Sequence, residues 1–444
     1  MERIEARPTD GLSYSPAEPR YWERPGLEKE LNRVFDICHG CRLCFNLCPS
    51  FAELFEGIDA QGGEVRGLAA GLKRRVVELC YGCKLCEVKC PYSPKEGHEF
   101  QLDFPRLMLR ARAVEARAKG LALRERMLGD PDRLGRMGAR SAALANWAGN
   151  FAPARLALER LVGIDRRKKL PEFARESFVG YLKRVGPPSA PEKPAARVAL
   201  FHTCFVNYYR PEVGRAALAV LEKNRCAVAC PEQNCCGMPA LDGGNVELAR
   251  KLAQANLATL LPLVRQGFRV AALNPTCALM MRREYPLLLG SEPARQLAGA
   301  VADTHEVLYE LRRAGSFERG FRSTPVSIAY HVPCHLKAQA IGFRARDLMR
   351  LIPGVQIVSA EACTCHDGTW AMKKEFFALS MKWGEKAFAA MTQAQARVMV
   401  SDCPLAALQI EQATGVRPLH PLEVLARAYE SDGFADPVGE QPGG

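Results

Sequence analysis

The sequence is poor in the features that mark several large classes of protein. The first sixteen residues, MERIEARPTDGLSYSP, are charged from the second position and hold no apolar core of a secretory leader, which predicts a cytoplasmic chain with reduced thiols. The uncharged stretch Ser141–Ala154 has fourteen residues, short of the ~20 that a membrane-spanning helix needs. No clear G-x-G-x-x-G run follows an apolar strand, so a bound dinucleotide is not expected. Aromatic residues make up only 8% of the chain, and the basic stretches lack the interleaved stacking residues of a nucleic-acid binder.

Cysteine is what the sequence does have. Eighteen in 444 residues are too dilute for a secreted disulfide scaffold, yet twelve of them fall into three tight groups. Hydrophobic residues at 48% and charged residues at 25% are those of an ordinary globular protein, and the length is enough for more than one core. The net charge of +12 is uneven: residues 1–105 carry 14 basic and 17 acidic side chains, 106–185 carry 19 and 8, and the rest 28 and 24. Nearly all the excess lies in the middle segment, where a local positive surface points to a partner or an anionic membrane.

Two cysteine runs repeat one spacing. Cys38-x2-Cys41-x2-Cys44-x3-Cys48-Pro49 is matched by Cys80-x2-Cys83-x2-Cys86-x3-Cys90-Pro91. A compact C-x2-C-x2-C loop can wrap three corners of an iron–sulfur cube, and in two-cluster ferredoxins the fourth cysteine of each run serves the other cube. The expected ligand sets are therefore Cys38, Cys41, Cys44 and Cys90 for one [4Fe–4S] cluster, and Cys80, Cys83, Cys86 and Cys48 for the second. Zinc would also be satisfied by eight thiolates, but three cysteines at successive three-residue steps are uncommon at zinc sites. The helical look of the intervening residues predicts an α-helical ferredoxin.

Residues 106–185 interleave Arg with Ala and Leu and read as helical throughout; GPPSAPEKPAA (186–196) then forms a Pro-rich linker. Beyond it, apolar runs at 197–202, 226–230, 269–274, 327–332, 355–360 and 397–402 alternate with amphipathic segments, as in two βαβαβ units with parallel sheets. Cysteines peg these as a repeat. Cys204 corresponds to Cys334, Cys235-Cys236 to Cys363-Thr-Cys365, and Cys277 to Cys403, with separations of 31 and 42 residues in one half against 29 and 40 in the other. All would stand at the carboxyl ends of strands, the edge at which open α/β sheets build sites. The expectation is an α+β multi-domain chain. It comprises a ferredoxin-like domain (1–105), a basic helical segment and linker (106–190), and two cysteine-rich α/β domains (197–322 and 326–430).

The signatures DICHGCRLCFNLCPSF, FHTCFVNYYRPEVG, NCCGMP, NPTCALMMRREYP, YHVPCHLKA, GTWAMKKE and GVRPLHPLEVLA resemble those of the C subunits of anaerobic glycerol-3-phosphate dehydrogenases and of the cysteine-rich subunits of heterodisulfide reductases. FPRLMLRARA, LANWA and GIDRRKKLP in the basic segment fit the same resemblance, which spans about 30 to 430. It implies an electron-transfer subunit that takes electrons from a partner dehydrogenase or flavoprotein and passes them to a quinone or another acceptor. It also implies cluster binding by the C-terminal cysteines. Cys204, Cys235, Cys236 and Cys277 match the pattern, though Met280 replaces its final cysteine, so a third cluster, cubane or non-cubane, is expected there. In the second half Cys334, Cys363 and Cys403 match, but Thr364 and Ala406 replace ligands.

Those departures leave a rival reading. Cys363, Cys365 and His366 would form a catalytic thiol site that reduces a disulfide, persulfide or peroxide-linked substrate, with His335 and His366 lowering a thiol pKa and a thiol or peroxide-system protein as acceptor. His202 and His331 are expected as local hydrogen-bonding residues, and Cys226 and Cys230 as buried structural thiols. Trp147 and Phe151 in a basic amphipathic segment predict peripheral docking on an anionic membrane at the inner face of the cell membrane, or packing against a soluble partner.

Overall fold

The computed structural model describes residues 4–366 and 368–435. Its N-terminal part is helical because the two cysteine runs use the same backbone device. α1 (Arg24–Cys41) stops where Arg42 takes the left-handed conformation (φ 52°), and α2 (Pro49–Asp59) begins on Pro49 immediately after Cys48. α3 (Ala70–Leu79) delivers Cys80; Lys84, again left-handed (φ 60°), then starts α4 (Leu85–Lys89), which ends at Cys90. Each left-handed residue follows the second cysteine of its run and curls the loop. Pro49, with its preset φ, starts the next helix at no cost in hydrogen bonds.

The ferredoxin-like core is apolar and aromatic, with the tilted rings of Phe51 and Phe104 4.5 Å apart and Phe35, Leu54 and Val76 buried around them. α5 (Phe104–Lys119) is capped by the Asp103 side chain and sends Leu107, Met108 and Val114 into this core. The helix therefore runs through position 105, where the sequence suggested a domain limit, and Arg106, Arg110 and Arg112, three of its five basic residues, face protein. Arg110 is wholly buried and donates to the carbonyls of Gly11, Arg20 and Tyr21 at 2.6–2.7 Å, which ties the N-terminal segment across α1.

The basic segment is not one continuous amphipathic helix. Gly120 ends α5, and α6 (Leu123–Leu128), α7 (Pro131–Ala139), α8 (Ala142–Asn150) and α9 (Ala152–Val162) follow as short pieces. Pro131 and Pro153 start new helices, and Gly163 (φ 78°) ends the last. Residues 163–177 are irregular apart from a bridge between Ile164 and Lys373.

The C-terminal part forms two parallel sheets. The first has the order β2-β1-β3-β4, with β1 Ala196–Phe201, β2 Cys226–Ala229, β3 Arg269–Ala272 and β4 Val301–Asp303; the second has the order β6-β5-β7, with β5 Ser327–His331, β6 Gln356–Ala360 and β7 Val398–Ser401. Central strands β1 and β5 are apolar and buried, as parallel strands covered on both faces must be. The short β4 carries no cysteine and was not legible as a strand. The two sheets share one apolar core, in which Val198 and Leu200 belong with Ile328, Tyr330 and Val400.

Candidate iron–sulfur centres and the cavity between them

The backbone brings the cysteines together across sequence. In the ferredoxin part Cys38 is half-buried and its thiol is driven up by desolvation, then by Cys44, Cys90 and Cys41 nearby; Cys44 is likewise pushed up to about 11, by burial and then Cys90 and Cys41. Cys90, from the second run, thus stands with the first three cysteines of the first run. Cys48 is held up by burial and then by Cys80, and Cys86 by burial and then Cys80 and Cys48. The eighteen cysteines are present as thiols. Such groups crowd several would-be anions into low-dielectric surroundings, where Arg33 near Cys38 and Lys89 near Cys44 offset burial only in part, a donor set that fits a positively charged multi-iron body better than thiol packing.

Each cysteine of the repeat lies at the carboxyl edge of its sheet. Cys204 is in the first turn after β1, Cys235 and Cys236 follow β2, and Cys277 lies in the turn of helix after β3. Their sulfurs form a chain: Cys204 is 3.9 Å from Cys235, which contacts Cys236, which contacts Cys277. Four buried or half-buried thiols in succession fit a cluster. In the second half Cys334 begins the helix after β5, Cys363 follows β6, and Cys403 precedes the helix after β7. Cys363 is held well below the usual thiol range by hydrogen bonds from Cys334, Cys365 and Cys83.

That last contact ties the parts of the molecule together. Cys83 of the ferredoxin loop lies against Cys363 and Cys334, and Tyr81 two residues earlier receives a hydrogen bond from the Cys365 thiol at 3.2 Å. The seam is fixed by buried charge. Glu284 binds Lys84 at 3.2 Å and Arg106 at 3.4 Å, and Glu87 binds Arg283 at 2.9 Å. His335 Nε2 donates to the Gly82 carbonyl and its Nδ1 accepts from Thr276 Oγ1, so one imidazole joins the ferredoxin loop to both cysteine-rich domains.

Seven repeat cysteines, 204, 235, 236, 277, 334, 363 and 403, line a single cavity of about 520 Å³ together with Cys83. Apolar side chains of the basic segment, among them Leu134, Met137 and Phe173, close its outer wall. This segment bridges the two sheets. Asp132 of α7 accepts from the Cys235 backbone N–H, and Gly135 lets α7 settle on the Tyr208 ring. On the other side Lys168 donates to Gln409, Lys169 pairs with Glu411 at 2.7 Å, and Arg124 pairs with Glu375 at 2.5 Å. The covering role of residues 123–173 was not visible in the sequence; the only signal was Asp130, which caps α7, beside Pro131.

Some sequence expectations take a different form. Burial drives His335 down to about 4 and His366 well below its usual value, so these imidazoles are neutral and do not lower a thiol pKa by charge. His331 spends both nitrogens on Ser401 Oγ and the Ala362 carbonyl, and His202 Nδ1 meets the Thr203 carbonyl. Cys226 is buried in β2 against the shared core, while Cys230 is half-buried at its edge.

Two ranges, 198–282 and 328–411, match the family model "Cysteine-rich domain", and residues 30–118 match the "Citrate utilization protein B Fer4-like domain". Fold and thiols together define an iron–sulfur protein with duplicated cysteine-rich domains. The chain is 29% identical over 310 residues to the C subunit of the anaerobic glycerol-3-phosphate dehydrogenase of Escherichia coli (strain K12), covering 69% of this chain and 77% of that one. It is 30% identical to the lactate utilization protein A of Halalkalibacterium halodurans over 40% of this chain and 73% of the other. With the B subunit of the fumarate reductase (CoM/CoB) of Methanothermobacter marburgensis it shares 24% identity over 57% and 50% of the respective lengths. The chain belongs to this family of cysteine-rich iron–sulfur proteins, related to the C subunit of anaerobic glycerol-3-phosphate dehydrogenase.

Proposed function

We propose that this protein is the electron-relaying subunit of an oxidoreductase complex. A partner dehydrogenase or flavoprotein supplies electrons to two [4Fe–4S] clusters, one on Cys38, Cys41, Cys44 and Cys90, the other on Cys80, Cys83, Cys86 and Cys48. From there electrons would pass to the cysteine-rich domains, where Cys204, Cys235, Cys236 and Cys277 would hold a third cluster and Cys334, Cys363 and Cys403 line another part of the same cavity. A quinone or another reducible acceptor takes them up there. Iron–sulfur groups supply one-electron steps; the protein's part is to fix the thiols, exclude water and bring the ferredoxin loop to the cavity wall.

The observation that carries this reading is the Cys83 contact with Cys334 and Cys363, which puts the end of the ferredoxin relay against the cavity shared by both repeats. Iron and acid-labile sulfide on anaerobically purified protein test it, with low-temperature EPR of the oxidised and reduced forms. About twelve irons or more per chain support it, whereas about eight, as in two cubes, would leave the repeats metal-free. That result would favour the rival reductase reading, which the closeness of the Cys363 and Cys365 thiols supports. Replacing both by Ser would then stop turnover of a disulfide or persulfide substrate.

Peripheral membrane docking belongs to the same proposal. Met137, Leu144, Trp147, Phe151 and Leu161 are exposed on α7 to α9, and Arg133, Arg136, Arg140 and Arg160 are exposed among them. An apolar patch set among cations fits an anionic lipid surface.

A further inference from the structure

The second cysteine-rich half has lost ligands relative to the first, and the structure shows what stands in their place. Three thiols, Cys334, Cys363 and Cys403, line its part of the cavity, one short of the four that a cubane cluster takes. Cys365 is the obvious candidate for the fourth, being next but one to Cys363. However, it has a left-handed backbone (φ 55°), its thiol is bonded to the Tyr81 hydroxyl at 3.2 Å, and it packs with Trp370 and Phe376 in the ferredoxin core. It does not line the cavity.

The same left-handed turn returns the next residue to the cavity wall. His366 is only 3% exposed and lies beside Cys363, and neither ring nitrogen has a hydrogen-bond partner among the described residues. A buried imidazole with two orphaned nitrogens is costly unless something outside the polypeptide binds it. The other buried histidines around this cavity, His331 and His335, are each bonded through both nitrogens and have none to spare. We infer that His366 is an iron ligand and completes, with Cys334, Cys363 and Cys403, the site of an iron–sulfur cluster in the second cysteine-rich domain. This rests on the proposed function, in which the second half faces the cavity as a redox site, and assigns it a mixed thiolate–imidazole ligand set.

Ligation needs no redox step: one nitrogen lone pair of the neutral ring binds iron and the proton stays on the other. Replacing an anionic thiolate by a neutral imidazole leaves the centre less negative, and so easier to reduce, the same direction that histidine ligation gives in Rieske centres. A centre there would make this half the more oxidising of the two repeats, which would favour electron flow from the ferredoxin part toward the cavity.

The test uses the full chain, purified anaerobically with 14N- or 15N-labelled histidine, and pulsed EPR of the partly reduced protein. A strongly coupled histidine nitrogen is expected in the native protein and in Cys365→Ser, and its loss in His366→Cys. His366→Cys should keep its iron and shift one centre to a lower potential, so loss of the coupling is not a loss of folding. Cys403→Ser reports separately on the cluster, with a loss of about four irons per chain. If that loss is seen but no histidine nitrogen is coupled, or the coupling survives in His366→Cys, the cluster stands and the ligand assignment is overturned. If Cys403→Ser loses no iron, the second half holds no cluster and the inference falls with it.

Discussion

Glu284 shows how much of this molecule rests on single buried charges. Burial raises its carboxyl, but Arg106 and Lys84 beside it outweigh that and hold it down at about 2. It is the only described carboxylate paired with both of these cations, and Arg106 has Asp103 in reserve while Lys84 has no second salt bridge among the described residues. Glu284→Gln therefore strands a buried ammonium next to Cys83, a loss on the order of 3–5 kcal/mol for a broken buried pair. A fall in thermal midpoint and faster proteolysis between the ferredoxin part and the first repeat should show it. His305 works with the opposite sign. Burial opposes its charged form, but Asp303 at 2.8 Å, with Asp402 behind it, raises the ring above its ordinary value. Its contribution is complete below about 6.5, the unfolded value, and is lost as pH rises through the folded one. Thermal unfolding followed by far-ultraviolet circular dichroism should show stability falling as pH rises above the ordinary imidazole value of about 6.5 in the native protein, and His305→Asn should flatten that slope.

At the scale of elements, α6 to α9 are the weak and the functional part of the fold. They are 6, 9, 9 and 11 residues long, below the ~12–15 at which even good isolated helices become stable in water, so docking holds them. A Cβ on Gly135 would come within 2.2 Å of the Tyr208 ring, close to the backbone end of that side chain. Gly135→Val should thus lift α7 and speed amide exchange across 123–162 while leaving β1 to β3 protected; unchanged exchange would show that the helices do not depend on this contact. The same elements mark the limit of what the sequence reveals. The six strands 197–202 through 397–402 could be read because parallel strands are short apolar runs, and the cysteines fixed their repeat. The ferredoxin loops could be read because cluster geometry imposes spacing. The covering helices could not, since their apolar side chains serve two faces at once, Leu134 toward the cavity and Trp147 toward solvent. Nor could the sequence show that His366 lines the cavity and Cys365 does not, because that depends on one left-handed backbone angle.

In the proposed relay the outlet lies under a cover that faces outward. The ferredoxin part meets the cavity from one side through Cys83, and α6, α7 and residues 164–173 close another, while α6 to α9 carry on their outer surface half of the exposed large apolar side chains of the described residues. Trp147 and Phe151 stack 4.8 Å apart there, with Trp147 58% and Leu161 81% exposed. No described helix is long and apolar enough to cross a membrane, so contact with one would be made by this face. Met137 both lines the cavity and is exposed, which joins that face to the cavity mouth. An apolar acceptor dissolved in lipid would then reach the thiols without passing through water. Sedimentation with vesicles of anionic lipid tests the arrangement at its proper scale. Binding should weaken as salt rises, because screening removes the attraction of the exposed arginines. Trp147→Asp combined with Leu144→Asp should abolish it even at low salt, with the iron content unchanged. Equal binding to neutral and anionic vesicles, or binding that survives both substitutions, would place the membrane contact elsewhere and leave this face to a protein partner.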